Sequence, residues 1–190
     1  MSKQFVISDL HLGHKNIIQF ERNEFSSVEE HDAFIIKKWN SVVKDSDVVY
    51  VLGDVAWRPT NNFLKEKLSL MKGHKILIRG NHDHNTKTFY KISGFDEVHD
   101  GPLYIFKGKI ILSHEPVKEA FDNPFVFNIH GHLHKQILTL PNFICVSAKT
   151  IKYTPLNLSK IEEEVKDKVL PKRKEKFGEE WYAPYVSKIC

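Results

Sequence analysis

The chain has 190 residues, 41% hydrophobic and 12% aromatic, which is enough for one domain with its own core and too apolar for a disordered chain. Its net charge of +4 and pI near 8.9 fit an anionic substrate without marking a nucleic-acid binder. No apolar run approaches the ~20 residues of a membrane span, Met1-Ser2-Lys3-Gln4 leads straight into a strand so that no signal peptide is expected, and two cysteines, Cys145 and Cys190, point to a reducing, cytoplasmic setting.

In chain order, residues 4–8 read as a first strand, ending in Asp9-Leu10-His11-Leu12-Gly13-His14. Residues 16–20 fit one or two helical turns. Ser27-Val28-Glu29-Glu30 has the form of a capping box, with Ser27 as N-cap and Glu30 reaching back. The helix after it carries Phe34, Ile35, Trp39, Val42 and Val43 at helical spacing, so that stripe belongs to the core. Residues 47–52 form a second strand, closed by Gly53-Asp54. Residues 61–71 form a helix with Phe63, Leu64, Leu68 and Met71 inward, and Lys72-Gly73 stops it. The third strand holds Ile76-Leu77-Ile78 and runs into Arg79-Gly80-Asn81-His82-Asp83-His84. A short helix is expected at residues 86–92.

The texture then changes. Residues 97–100, 102–106, 109–112, 125–129 and 142–146 are short and β-rich, and Lys107-Gly108 fits a hairpin between two of them. An alternating first half and a strand-rich second half imply a layered α/β domain whose late strands are mixed or antiparallel. Ser159-Lys160-Ile161-Glu162 resembles another capping box and starts a last helix. The domain is placed at residues 1–165 and a C-terminal extension at residues 166–190. Within the extension, the charge run at residues 172–176 reads as a solvated connector rather than a phosphate contact. The aromatic cluster at residues 181–185 packs back on the domain or on a second subunit.

Five strand ends share one habit. Asp9 and His11, then Asp54, then Asn81 and His82, then His114, then His132 and His134 each follow an apolar run at once. Loops at the carboxyl ends of α/β strands are where ligands bind. One histidine so placed is usually a satisfied structural residue; five strand ends alike are not. Donors of His, Asp and Asn without Cys suit Mn²⁺, Fe²⁺ or Zn²⁺. They are too many for one tetrahedral ion. Two ions about 4 Å apart, bridged by a carboxylate, would use them all, in the arrangement that displaces a leaving group from phosphorus.

The ordered set Asp-x-His, Gly-Asp, Gly-Asn-His-Asp, a lone His and Gly-His-x-His resembles the calcineurin-like binuclear metallophosphoesterase superfamily. Within it, the chain is similar to the short single-domain bacterial and phage phosphoesterases. The resemblance implies a four-layer α/β/β/α sandwich with two mixed sheets and the site at the strand ends. It implies Asp9, His11 and His134 on one divalent ion, Asp54 bridging, and Asn81, His114 and His132 on the other. Mn²⁺ is the expected ion, with Fe, Zn, Ni and Co accepted by the same donors. A dimetal-bridging hydroxide would attack a phosphodiester, or a phosphomonoester, while His82 protonates the leaving alkoxide as general acid. One departure stands out. The phosphoprotein phosphatase branch has an Asp shortly after Gly-Asp that orients the catalytic His; here Val55, Ala56 and Trp57 follow Asp54, so His82 lacks it. This argues against a Ser/Thr protein phosphatase.

His14 and Arg79 are candidates to bind substrate phosphate, ahead of Arg58 and His84. Asp83 is expected to cap its loop, and His31, His74 and His99 to be surface or packing residues. His130 is read as a residue that orients a ligand or as a plain strand residue. The partner is a phosphate ester, with a nucleotide or small phosphodiester the natural class. Nucleic acid is not indicated, although a nuclease is the nearest alternative enzyme. A binding scaffold, as in the small retromer subunit of this fold, is disfavoured because His82 and the full ligand set are kept. Oligomeric state is not readable.

Overall fold

Strands β1 (Gln4–Ile7), β2 (Val48–Val51) and β3 (His74–Ile78) are apolar on both faces, as parallel strands covered on both sides must be. The structure, a computed structural model, describes residues 2–123, 125–134, 138, 140 and 142–166. One sheet has the order β4-β3-β2-β1-β9, with β4 at Glu97–His99 and β9 at Leu156–Asn157. All its pairs are parallel except β1 with β9. The other has the order β5-β6-β7-β8, formed by Leu103–Ile105, Ile110–Ser113, Phe127–His130 and Phe143–Cys145. There only β5 is antiparallel.

Three apolar layers follow. Phe5, Ile7, Val49, Val51 and Leu77 pack against helices α2 (Val28–Asn40), α3 (Asn61–Ser69) and α4 (Lys87–Ile92) through Ile35, Trp39, Leu64, Leu68 and Tyr90. The opposite face places Val6, Leu52 and Ile78 against Ile110, Leu112, Phe127 and Ile129 of the second sheet. Beyond that sheet, Ile111, Val126 and Phe143 meet Ala120 of α5 (Lys118–Asp122). This is the expected sandwich of helices, two mixed sheets and a helix. α6 (Leu158–Glu164) lies beside β1 and adds Leu158 to the inter-sheet layer.

Several details differ from expectation. β4 joins the first sheet, parallel to β3, instead of the late strands. The two-residue β9 and the five-residue α5 were not anticipated. Ser27 caps α2 by accepting from the Glu30 N–H at 3.1 Å, but the Glu30 carboxylate reaches Ser26 N and Oγ, one residue further back. The cap of α6 is Asn157, not Ser159. The hairpin at Lys107-Gly108 is present, with Phe106, Lys107 and Gly108 all at positive φ. No helix among the described residues is long and apolar enough to cross a membrane. The charge run and aromatic cluster of the extension lie outside the described residues.

Candidate metal centre

β1, β2 and β3 are mutually parallel, β6 and β7 likewise, and a parallel bridge between Ser8 and Ser147 links the two sheets. All five polar strand ends therefore open on one edge. Past β1 and β2 the chains stay together: the N–H groups of Asp9 and His11 donate to the carbonyls of Gly53 and Asp54, each at 3.0 Å. The backbone must twist sharply to bring the side chains to a common centre. Asp9, His11, Asp54, His132 and His134 have φ of 47–65°, a left-handed conformation that is unfavourable for a residue with a Cβ. They are five of the ten such non-glycine residues described, so the strain is concentrated at this site. Two glycines allow the approach. A Cβ on Gly80 would strike the Asp54 carboxylate and come within 2.9 Å of the His114 ring, and one on Gly131 would strike Ser8 and the Asp9 carboxylate.

The side chains meet in two overlapping groups. Asp9, His11, Asp54 and His134 each offer one ligand atom, all within 4.8 Å of one another. His134 Nε2 is 3.3 Å from His11 Nε2 and 3.5 Å from Asp9 Oδ1. On the other side, Asn81 Oδ1 is 2.8 Å from His114 Nε2 and 3.0 Å from His132 Nδ1. Asp54 belongs to both: Oδ2 lies 3.9 Å from His11 Nε2 and Oδ1 lies 3.5 Å from His114 Nε2.

Surrounding residues fix these orientations. His114 Nδ1 donates to the Leu52 carbonyl at 2.8 Å, which leaves the Nε2 lone pair facing the centre. Asp9 Oδ2 accepts from Ser147 Oγ at 2.6 Å and from the His132 N–H at 3.1 Å. Asp83 is buried and clamps two loops, accepting from the N–H of Asp54 at 2.7 Å, of Gly80 at 2.8 Å and of Val55 at 3.2 Å. Burial pushes its carboxyl up from the ordinary carboxylate value. The expectation that Asp83 serves its loop agrees with this geometry.

Arg22 and Glu21, at the end of α1 (Lys15–Phe20), were missed by sequence reasoning. Arg22 is buried; its guanidinium donates to the carbonyls of Leu10, at 2.8 Å, and Asp9, and to His31 Nε2 at 2.5 Å. His31 then donates from Nδ1 to Asp32, whose carboxylate accepts from the Gly13 N–H. His31, expected to be a surface or packing residue, is thus fully buried beneath the Asp9–His11 loop. Glu21 Oε2 lies 2.5 Å from His134 Nδ1. No local signal marks these residues, since their partners lie elsewhere in the chain.

The donor set fits divalent cations. Asp9 and Asp54 are almost fully buried, and among the described residues neither forms an ion pair with Lys or Arg. Buried carboxylates are paired with charged groups or coordinate metals, and a divalent ion suits this pair. On the Asn81 side, the His114 lone pair faces a carbonyl oxygen at 2.8 Å, a convergence of acceptors that a cation relieves. His11 is held well below 6.5, by burial first and then by Arg22 and neighbouring histidines, so it presents the neutral ring that a metal needs.

His82 lies beside the centre. Its N–H donates to Asp54 Oδ1 at 3.1 Å, and its half-buried ring packs near Trp57 at 5.3 Å and His11 at 6.4 Å between centroids. Among the described residues no side chain hydrogen-bonds this ring. Trp57 itself is stacked on His14 at 4.6 Å and 7°. Arg79 is engaged elsewhere, with Asp100 at 2.6 Å and the carbonyls of Asp83 and Asn85. Arg58 lies over the Trp57 ring, and His84 is 6.3 Å from His82. His130 is buried, with Nδ1 on the Gly131 carbonyl. Against Asn81 and His114 opens a cleft of about 250 Å³, also lined by Arg79, Pro102 and Glu115.

The uncharacterized protein MJ1445 of Methanocaldococcus jannaschii is 36% identical over 170 residues, covering 85% of this chain and 90% of that one. The gene 66 protein of Mycobacterium phage L5 is 44% identical over 85 residues, 44% of this chain and 41% of that one. The crystal structure of the protein of unknown function AQ665 from Aquifex aeolicus superposes with a TM-score of 0.68 at 28% identity, covering 86% of this chain and 99% of that one. The pattern of the calcineurin-like phosphoesterases matches residues 3–187, a span that includes every donor of the centre. With two mixed sheets delivering His, Asp and Asn to one edge, the chain belongs to the calcineurin-like phosphoesterase family.

Proposed function

We propose that the protein is a divalent-metal-dependent hydrolase of a phosphodiester, with His82 as general acid. The observation that carries this reading is Asp54, buried and shared by two donor groups on opposite sides. Asp9, His11 and His134 would hold one ion with it, and Asn81, His114 and His132 the other. Mn²⁺ is the proposed ion; donors of imidazole, carboxylate and amide oxygen without thiolate suit it, as they suit Fe²⁺ and Zn²⁺. Two ions so held would supply an activated water and stabilise charge on the phosphate oxygens.

The chain's own residues supply the rest. His82 stands at the open side with its ring free of hydrogen bonds to the described side chains, so it can give a proton to a departing alkoxide. That matters most where the leaving group is a poor one such as an alkoxide, and a general acid is then worth typically 10²–10⁴-fold. The cleft beside Asn81 and His114 has room for one substituent of the ester, and Arg79, committed to Asp100, serves as its wall. His14 supports Trp57 in this reading by stacking on it.

The test compares bis-p-nitrophenyl phosphate with p-nitrophenyl phosphate, using metal-stripped wild type and His82→Ala with and without Mn²⁺. Turnover of the p-nitrophenyl diester should need Mn²⁺ and change little in His82→Ala, because p-nitrophenolate leaves without protonation, whereas a phosphodiester with an alkoxide leaving group, run in parallel, should lose about 10²–10⁴-fold with Mn²⁺ binding intact. No turnover of either ester by wild type carrying two Mn²⁺ would overturn the proposal.

A further inference from the structure

We infer that Glu21 is the positioning residue for His134 and sets the affinity of the first ion's site separately from that of the second. The inference rests on the dimetal reading above.

A carboxylate only accepts. Glu21 Oε2, 2.5 Å from His134 Nδ1, therefore places the ring hydrogen on Nδ1. The lone pair then sits on Nε2, which faces Asp9 Oδ1 at 3.5 Å and His11 Nε2 at 3.3 Å. His134 is the donor of its group most in need of such help. Asp9, His11 and Asp54 are buried, whereas the His134 side chain keeps 21% of its surface exposed. A partly exposed ring without a partner on Nδ1 could rotate or take the other tautomer, and either change turns its lone pair away.

Glu21 is itself anchored. It is the C-cap of α1, with its N–H on the Ile17 carbonyl at 2.9 Å, and Lys149 Nζ donates to its carbonyl. Lys149 also pairs with Glu24 at 3.0 Å, and Glu24 accepts from the Tyr153 hydroxyl at 2.5 Å. The second group has a different device: His114 Nδ1 rests on the neutral Leu52 carbonyl. A carboxylate partner raises the basicity of its imidazole more than a carbonyl does. Loss of Glu21 should thus weaken one ion and spare the other.

The experiment titrates Mn²⁺ by calorimetry into metal-stripped wild type, Glu21→Gln and Glu21→Ala. Electron paramagnetic resonance follows the exchange-coupled ion pair, and circular dichroism checks the metal-free fold. Wild type should bind two ions. Glu21→Ala should bind one with wild-type affinity and the other roughly 10- to 100-fold more weakly, losing the coupled signal at limiting Mn²⁺. Glu21→Gln, of the same size and still offering an acceptor oxygen, should fall between. Equal weakening of both ions, or no weakening, would overturn the inference. If Glu21→Ala does not fold, Glu21→Gln decides by the same split. Wild type that binds fewer than two ions would instead sink the dimetal reading.

Discussion

His82 is surrounded by rings rather than held by a carboxylate, and Trp57 occupies the stretch where the phosphoprotein phosphatases carry their orienting Asp. Trp57→Ala should therefore lower kcat for the diester with an alkoxide leaving group by up to about 100-fold, the cost of a misplaced catalytic group. Mn²⁺ affinity should not change, which calorimetry checks. Arg22 acts beneath the other side of the centre. Arg22→Met would strand the buried carbonyls of Asp9 and Leu10, and each buried group left without its partner costs about 1–3 kcal/mol. A matching drop in the urea midpoint should appear even in metal-free protein. Next to Arg22, burial holds His31 below its ordinary 6.5, with Asp32 opposing in part. Below pH 6.5 the unfolded chain takes up a proton that the folded chain resists, so stability falls as pH falls through that range. Urea titrations on either side of pH 6.5 should show the decline, and His31→Gln should blunt it. At this scale the sequence was partly legible. Asp9, Asp54 and Asn81 could be read because each lies two or three residues past an apolar strand. Glu21 and His134 are 113 positions apart, and only the fold brings them together.

Elements position the site by where they stop. Each donor-bearing strand is a short apolar run broken by polar residues, a pattern visible without any structure. Pairing was harder to read. β4 is three residues long and chooses the first sheet through its register with β3, which no local property of Glu97–His99 announces. β9 has two residues, and α5 lacks a side-chain cap, so neither gives a periodic signal. Between strand ends, close contact depends on absent side chains. Gly131→Ala would drive a methyl group into Ser8 and the Asp9 carboxylate, so this variant should lose both stability and Mn²⁺ binding, read by calorimetry. Ser27→Ala is the contrasting change. It removes the α2 cap and should cost about 1 kcal/mol of stability while leaving Mn²⁺ affinity and turnover untouched.

At the level of the whole molecule, the centre joins two sheets that otherwise meet through apolar contacts and the bridge at Ser8. Each ion that binds only the folded chain stabilises it by mass action, about 2.7 kcal/mol at a hundredfold excess over Kd. For a chain of this size that is a rise in Tm of roughly 5–10 °C, which a chelator should abolish in a thermal scan. The first sheet supplies Asp9, His11, Asp54 and Asn81, and the second supplies His114, His132 and His134. His11 and His134, whose nitrogens meet at 3.3 Å, are 123 positions apart. During synthesis, then, strands β1 to β3 emerge with two carboxylates, an amide and one imidazole, fewer than either proposed ion would need. The remaining imidazoles leave the ribosome only with β6 and β7. In the proposed centre, metal would then load only into a nearly finished chain.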